Sequence, residues 1–429
     1  MRIERDRYVQ ALAARMHNGM VKVVTGARRV GKSYLLFTLF RDYLLAQGVE
    51  DSNIVSVALD DEGFEELRDP KALSAYLKAA VQAVSGQCYV FLDELQFAIS
   101  EEERRGKRPP RVYGVLNGLL RRDGVDVYVT GSNSRFLSSD ILTEFRGRGD
   151  RVHVLPLTFA EFMLARDDDV YHAWADYVEY GGLPLVAAMR TPQQKAAYLS
   201  SLFEETYLCD IIERNGLRRT QELDDLVNVL ASAAGSLTSP SKIQATFRSE
   251  LGSQVSANTL KAYIGYLEDA FLVSEASRYD VKGRKYIGAV RKYYFEDVGL
   301  RNARLGFRQV EENHLMENVV YNELRARGFS VDVGVVTKRE KGTDGREHES
   351  QLEVDFVANL GSARFYIQSA YAIPDDEKRR QEKASLLRVG DSFEKIVLVK
   401  DVVNASRDQD GIVTMGLFDF LLDQGSLRM

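Results

Sequence analysis

The sequence predicts an α/β protein of several domains: a parallel sheet with helices on both faces, a helical segment, a winged helix-turn-helix and a second α/β domain. Three observations predict it. Between residues 21 and 155, short apolar runs alternate with helical stretches, the pattern of strands buried on both faces of a parallel sheet. A glycine-rich turn, "GARRVGKS", separates the first run from the helix that follows it. The chain has 429 residues, beyond the length at which single cores stop growing.

The strands of the first sheet are expected at Val21–Val24, Ile54–Leu59, Cys88–Leu92, Val127–Thr130 and Val152–Leu155. Phe159 to Asn215 reads as helical, broken at "YGGLPL" by two glycines and a proline. Three helices are expected between Thr220 and Ala270. The third, Ala257–Ala270, sets Leu260, Tyr263, Ile264, Leu267 and Phe271 on one apolar face. Two strand-like runs, "FLVSEASRY" and "KYIGAVRKYYFED", flank the basic turn "DVKGRK"; three helices and a strand pair in that order describe a winged helix-turn-helix. From Val310 the pattern is a helix (Leu315–Arg327), a strand (Ser330–Val336), two more strands (Leu352–Asn359, Arg364–Ala372), a charged helix and a strand (Lys395–Lys400). The segment Lys338 to Ser350 has no apolar residue and is expected to be mobile or variable. The expected boundaries are 1–158 for the first α/β core, 159–215 for a helical lid, 216–309 for the winged helix and 310–429 for the last domain.

Composition is that of a globular protein: 45% apolar, 28% charged and 8 prolines exclude a disordered or fibrous chain. A net charge of -6 argues against a surface wholly devoted to nucleic acid but leaves room for local basic patches. Cys88 and Cys209 stand in no metal-ligand spacing and suggest a reducing cytoplasm. No run has the apolar length of a membrane span, and the first twenty residues are charged rather than signal-like, so no membrane association is expected.

"GARRVGKS", Gly26 to Ser33, fits the phosphate-loop pattern G-x-x-x-x-G-K-[ST] between a strand and a helix. Its backbone from Gly26 through Ala27, Arg28, Arg29, Val30 and Gly31 would wrap phosphate oxygens, and the following helix adds its positive dipole end. Lys32 would neutralise the β- and γ-phosphates of ATP and Ser33 would ligate Mg2+, with Tyr34 continuing the contact surface. A phosphate loop does not by itself set up attack by water. "CYVFLDELQ" answers that need: the strand delivers Asp93 to the metal shell, and Glu94 would polarise the water. A further strand ends in "VYVTGSNSRF", where Thr130, Ser132 and Asn133 stand at the carboxyl edge of an open sheet; Asn133 is the expected γ-phosphate or water sensor.

The phosphate loop with "RR", "DE" followed by Gln96, "TGSNS", the "GR" at Gly147–Arg148, "PLTFAEF" and "GGLP" together resemble the AAA+ ATPases of bacteria and archaea, close to the archaeal-ATPase and STAND branches. The resemblance implies an AAA+ core, a winged helix and a last domain similar to the PD-(D/E)xK nuclease fold. It also implies a nucleotide-sensing arginine late in the core, matched by Arg148 with Arg146 in reserve, and a lid contact near the adenine at Gly182 and Pro184. A homo-oligomer would be needed if Arg148 acts on a neighbouring subunit.

Two stretches could act on a target. The hairpin carries Arg278, Lys282, Arg284, Lys285, Arg291 and Lys292 against Asp280, with Tyr279 and Tyr286 interleaved, which suits DNA contact; a solvated hairpin or an interdomain packing module fits the same residues. The preceding helix offers Lys261 but also Glu268 and Asp269, a poor complement to phosphate. In the last domain, Glu317, Asp355 and Gln368 match the resemblance to a nuclease. Ala370 stands at the lysine position, so the site reads as degenerate unless Lys378 or Lys383 supplies the amine. A docking surface for a protein partner is the alternative use of that domain.

Overall fold

Five strands, β1 (Val21–Thr25), β2 (Ile54–Ala58), β3 (Cys88–Asp93), β4 (Val125–Thr130) and β5 (Gly149–His153), form one parallel sheet in the order β2-β3-β4-β1-β5. The structure, a computed structural model, describes residues 2–104, 108–131, 149–218, 220–308, 310–341, 347–401 and 403–427. Every residue of β1 and β3 is buried, as the continuous apolar runs require. Val23, Val57, Val90 and Val129 pack with Leu73, Leu77 and Leu116 of the helices Pro70–Ala83 and Val112–Leu120 into one core. β5 starts earlier than its apolar residues suggest. Gly149 and Asp150 already pair with Val21 and Lys22, while Val154 and Leu155 fall beyond the strand.

The chain divides into two units, 1–156 with 269–271, and 157–268 with 272–429. In the second, residues 159–215 are helical as expected. Helices Thr220–Ser232, Pro240–Glu250 and Ala257–Asp269 precede an antiparallel hairpin of β6 (Val273–Asp280) and β7 (Lys285–Phe295). The hairpin is not a free wing. β6 also pairs, in parallel, with β8 (Ser330–Lys341), followed by β9 (Glu347–Leu360), β10 (Ala363–Ala370), β11 (Glu394–Val399), β12 (Ser406–Arg407) and β13 (Ile412–Gly416). One eight-stranded sheet results, in the order β12-β13-β11-β10-β9-β8-β6-β7, so hydrogen bonds cross the boundary expected at 309.

Of the segment Lys338–Ser350, expected to be mobile or variable, residues 342–346 lie outside the described residues, and those on either side are paired. Lys338 pairs with Ser350 and Arg339 with Glu349, continuing the β8–β9 ladder. A ladder needs only backbone groups and tolerable neighbours, and the Arg339–Glu349 ion pair is a favourable cross-strand match. Among the described residues no helix is long and apolar enough to cross a membrane.

Candidate active site

The loop after β1 is shaped by what cannot fit there. A Cβ on Gly26 would lie 2.2 Å from the Val154 carbonyl oxygen, and the residue's φ of 146° is one that side chains rarely adopt. Gly31, at φ 91°, turns the chain into the helix that opens with Lys32–Tyr34 and continues through Leu35–Phe40 and Arg41–Ala46. Arg29 takes a φ of 67° without being glycine, a local strain of the kind found in ligand clamps. Ala27 and Val30 are buried and anchor the loop, whereas Arg29 and Tyr34 are exposed and Arg28 and Ser33 half-buried.

Lys32 is 4% exposed, and its Nζ donates to the carbonyls of Gly26 (3.0 Å) and Ala27 (2.9 Å). Burial pulls its pKa down to about 8 against the opposing pull of Glu94 and Asp93. An ammonium so placed is held inside its own loop and gains most from an anion brought to it.

Across the loop, β3 ends at Asp93, whose carboxyl burial pushes above its usual range, while bonds from Thr130 and Ser33 oppose that rise. Thr130, the last residue of β4, donates its hydroxyl to Asp93 and accepts the Glu94 N–H at 3.0 Å. Glu94 lies in the left-handed region at φ 49°, and its carboxylate accepts from the Gln96 amide. Asp60 adds a repelling negative charge near Asp93. Ser33 and Asp93 therefore bring one hydroxyl and one carboxylate together beside the lysine, hard oxygen donors of the type Mg2+ takes along with water and phosphate oxygens.

Sequence reasoning missed Arg5, whose guanidinium binds the Val30 carbonyl at 3.0 Å; no motif marks it. It named Thr130 only as one of three polar residues. Asn133, Arg146 and Arg148 lie outside the described residues. Gly182 and Pro184 belong to the second unit. There Gly182 N–H donates to Asp297 at 2.8 Å, a Cβ on Gly182 would sit 2.4 Å from the Leu157 carbonyl oxygen, and Pro184 opens the helix Pro184–Ala188. Asp297, fully buried, also caps the helix Val298–Arg304 through Leu300 N–H, and desolvation raises its pKa to about 6.

The expected basic hairpin divides. Lys282, Arg284 and Lys285 are exposed at its turn, which Asp280 closes by accepting from Lys282 N–H (3.1 Å) and Gly283 N–H (2.8 Å). Exposed Tyr286 sets its ring edge-on to Tyr279. Arg278 is half-buried and donates to Gln351 at 2.7 Å, and Arg291 pairs with Glu275. Lys292 is corrected outright: it is buried, its Nζ 2.8 Å from Glu317 and 2.6 Å from Glu353. Strand alternation explains the difference, since neighbours on β7 point to opposite faces.

Lys292 thus joins the nuclease-like residues. Glu317 also accepts from Tyr294 OH at 2.6 Å, and buried Asp355 accepts from Ser369 N–H at 2.8 Å. Desolvation and the neighbouring Glu317 push the Asp355 carboxyl well above its usual range. Gln368 accepts from Ser385 at 3.4 Å. Neither expected substitute amine is free to join them: Lys378 pairs with Glu382 at 2.6 Å and Lys383 with Asp408 at 2.5 Å. Among the described residues no group of three or more His, Cys, Asp and Glu side chains could hold a metal ion.

An AAA domain model matches residues 18–163, and a model for a domain of unknown function matches residues 171–311. An uncharacterized protein of Haemophilus influenzae is 31% identical over 425 residues, covering 98% of each chain. One from Methanocaldococcus jannaschii is 26% identical over 380 residues, covering 85% of this chain and 77% of that one. Among solved structures, the Saccharomyces cerevisiae Hsp104–ADP complex superposes with a TM-score of 0.31 at 12% identity, over 76% of this chain and 42% of that chain. Caenorhabditis elegans PCH-2 does so with a TM-score of 0.28 at 15% identity, over 61% and 65%. The Gly26–Ser33 loop, the acidic end of β3 and the parallel sheet that aligns them lie in the stretch that the AAA domain model matches, and the chain belongs to the same family as the Haemophilus influenzae protein.

Proposed function

We propose that this protein binds ATP with Mg2+ at the Gly26–Ser33 loop and hydrolyses it, and that nucleotide state rearranges the domains that follow the core. The observation that carries the reading is the convergence of Lys32, Ser33, Asp93, Glu94 and Thr130 at the carboxyl edge of one parallel sheet. Lys32, released from the Gly26 and Ala27 carbonyls, neutralises the β- and γ-phosphates while the loop N–H groups hold their oxygens. Ser33 and Asp93 hold the magnesium, which supplies Lewis-acid stabilisation of phosphate charge when bound. Glu94, leaving the Gln96 amide, orients a water and takes its proton as the oxygen bonds to the γ-phosphorus; the bond to the bridging oxygen breaks, giving ADP and phosphate. Asn133 and Arg148 are proposed as sensors of the γ-phosphate, Arg148 from a neighbouring copy, and Gly182–Pro184 as the lid element near the base.

Phosphate release with Mg-ATP tests the reading. Wild type should turn over, Glu94→Gln should bind without turnover, and Lys32→Ala should bind weakly and not turn over. Binding without turnover in the wild type would favour a second reading, an ATP-regulated assembly switch. The exposed Lys282, Arg284 and Lys285 support a nucleic-acid contact by the hairpin, testable by salt-dependent binding of a DNA duplex. The burial of Lys292 among Glu317, Glu353 and Asp355 favours a docking role for the last domain over cleavage.

A further inference from the structure

Arg5 precedes the helix Asp6–Ala13 and is 3% exposed. Its Nη1 donates to the Val30 carbonyl at 3.0 Å; its Nη2 donates to the carbonyls of Leu155 at 2.9 Å and Pro156 at 3.3 Å. The guanidinium stacks over the Tyr8 ring, 4.5 Å from its centre, and the Tyr8 hydroxyl accepts Leu155 N–H at 3.1 Å. One planar side chain thus grips the phosphate loop with one arm and the exit from β5 with the other.

Both ends matter. The Val30 carbonyl shares a peptide plane with the Gly31 N–H, and a trans peptide aims the two groups in opposite directions. Fixing the carbonyl on Arg5 therefore sets the direction of an N–H in the stretch that would meet phosphate. At the other end, Pro156 closes the first unit and Leu157 opens the second. Within that second unit Leu157 N–H donates to the Gly182 carbonyl at 2.8 Å, and the Leu157 carbonyl accepts from Tyr177 OH at 2.8 Å.

We propose that Arg5 is a relay, a positioning residue that couples phosphate occupancy of the Gly26–Ser33 loop to the backbone at Leu155–Pro156, where the chain enters its second unit. The inference rests on nucleotide binding at that loop. When bound phosphate reorients the Val30–Gly31 peptide, the guanidinium must shift or tighten, and its second arm carries that change to the Leu155 and Pro156 carbonyls. Only a rigid fork does this. A lysine in its place offers a single rotating ammonium that cannot hold the two sets of carbonyls in fixed relation.

Hydrogen exchange of the full chain, with and without Mg2+ and a slowly hydrolysed ATP analogue, tests it. In the wild type, exchange should slow by about tenfold both in the loop and in residues 153–158. Arg5→Lys and Arg5→Met should keep the loop protection, with a dissociation constant within about tenfold of wild type, and lose the response at 153–158. Tyr8→Phe, which removes the Leu155 contact but spares the guanidinium, should keep both responses. Loop protection in the wild type with no change at 153–158 overturns the relay, as does an Arg5→Lys chain that responds in full. No loop protection in the wild type overturns the nucleotide reading itself.

Discussion

Thr130 donates a hydrogen bond from its hydroxyl to Asp93 and, with the same oxygen, accepts the backbone N–H of Glu94. One side chain on β4 therefore fixes the proposed metal-binding carboxylate that ends β3 and the backbone of the proposed general base that follows it. Thr130→Val keeps the shape and removes both bonds. ATP turnover should fall by about 10²-fold while analogue affinity changes by less than about fivefold, because the effect falls on groups used in the reaction more than on phosphate binding. Thr130→Ser should restore most of the rate; equal losses in affinity and rate would contradict the assignment.

Nucleotide affinity should depend on pH through Lys32. Its pKa in the free protein is lowered to about 8, below the usual lysine value, because burial disfavours the charged form. A bound triphosphate favours that form, so binding should be insensitive to pH below 8 and weaken above it, by up to about tenfold per pH unit. Lys32→Met should bind weakly at every pH with the slope abolished. Titrations with a fluorescent ATP analogue between pH 7 and 9.5 measure this.

Removing the Lys292 ammonium should be costly. Glu317 and Glu353 would lose their shared cation and Asp355 would face like charges alone, so Lys292→Met is expected to destabilise the second unit by about 3–5 kcal/mol. Adding Glu317→Gln should recover part of the loss. Urea unfolding of single and double variants checks both, and a Lys292→Met chain of wild-type stability would refute the ionic role.

Asp297 gives stability a pH dependence of unusual sign for an aspartate. Its folded pKa is raised to about 6 from 3.8, so the ionised form is disfavoured in the fold. Its contribution is most favourable below about pH 4 and declines as pH rises through 6, by about 3 kcal/mol in all. Asp297→Asn keeps one acceptor oxygen for Leu300 N–H but turns its NH2 toward Gly182 N–H, so it should lower stability overall while flattening that component of the profile. Denaturation curves at pH 4 to 7.5 for the two chains give the comparison.

Much of the first sheet was legible because buried parallel strands are written as unbroken apolar runs, and the loop because glycine at Gly26 and Gly31 answers a backbone demand no other residue meets. What escaped was set by tertiary contact. Arg5 carries no local signal, since its partners are carbonyls 25 and 150 residues away. Lys292 was read with Arg291 as one basic run, although alternation along "AVRKYYF" already separates Lys292 and Tyr294 from Arg291 and Tyr293, and it is the first pair that meets Glu317. In the polar stretch, composition reports the lack of a core and is silent on the backbone ladder that joins Lys338 and Arg339 to Ser350 and Glu349.

The pairing of β6 with β8 bears on how this protein can be cut and recombined. A chain ending near residue 309 would keep the hairpin but leave β6 with unsatisfied N–H and C=O groups along the edge where Arg278–Asp280 now meet Val333–Val335. Such an edge recruits other chains and promotes aggregation. A chain cut or fused at 309 is therefore expected to lose solubility before any loss of activity is felt, because β6 and β8 complete one sheet only together.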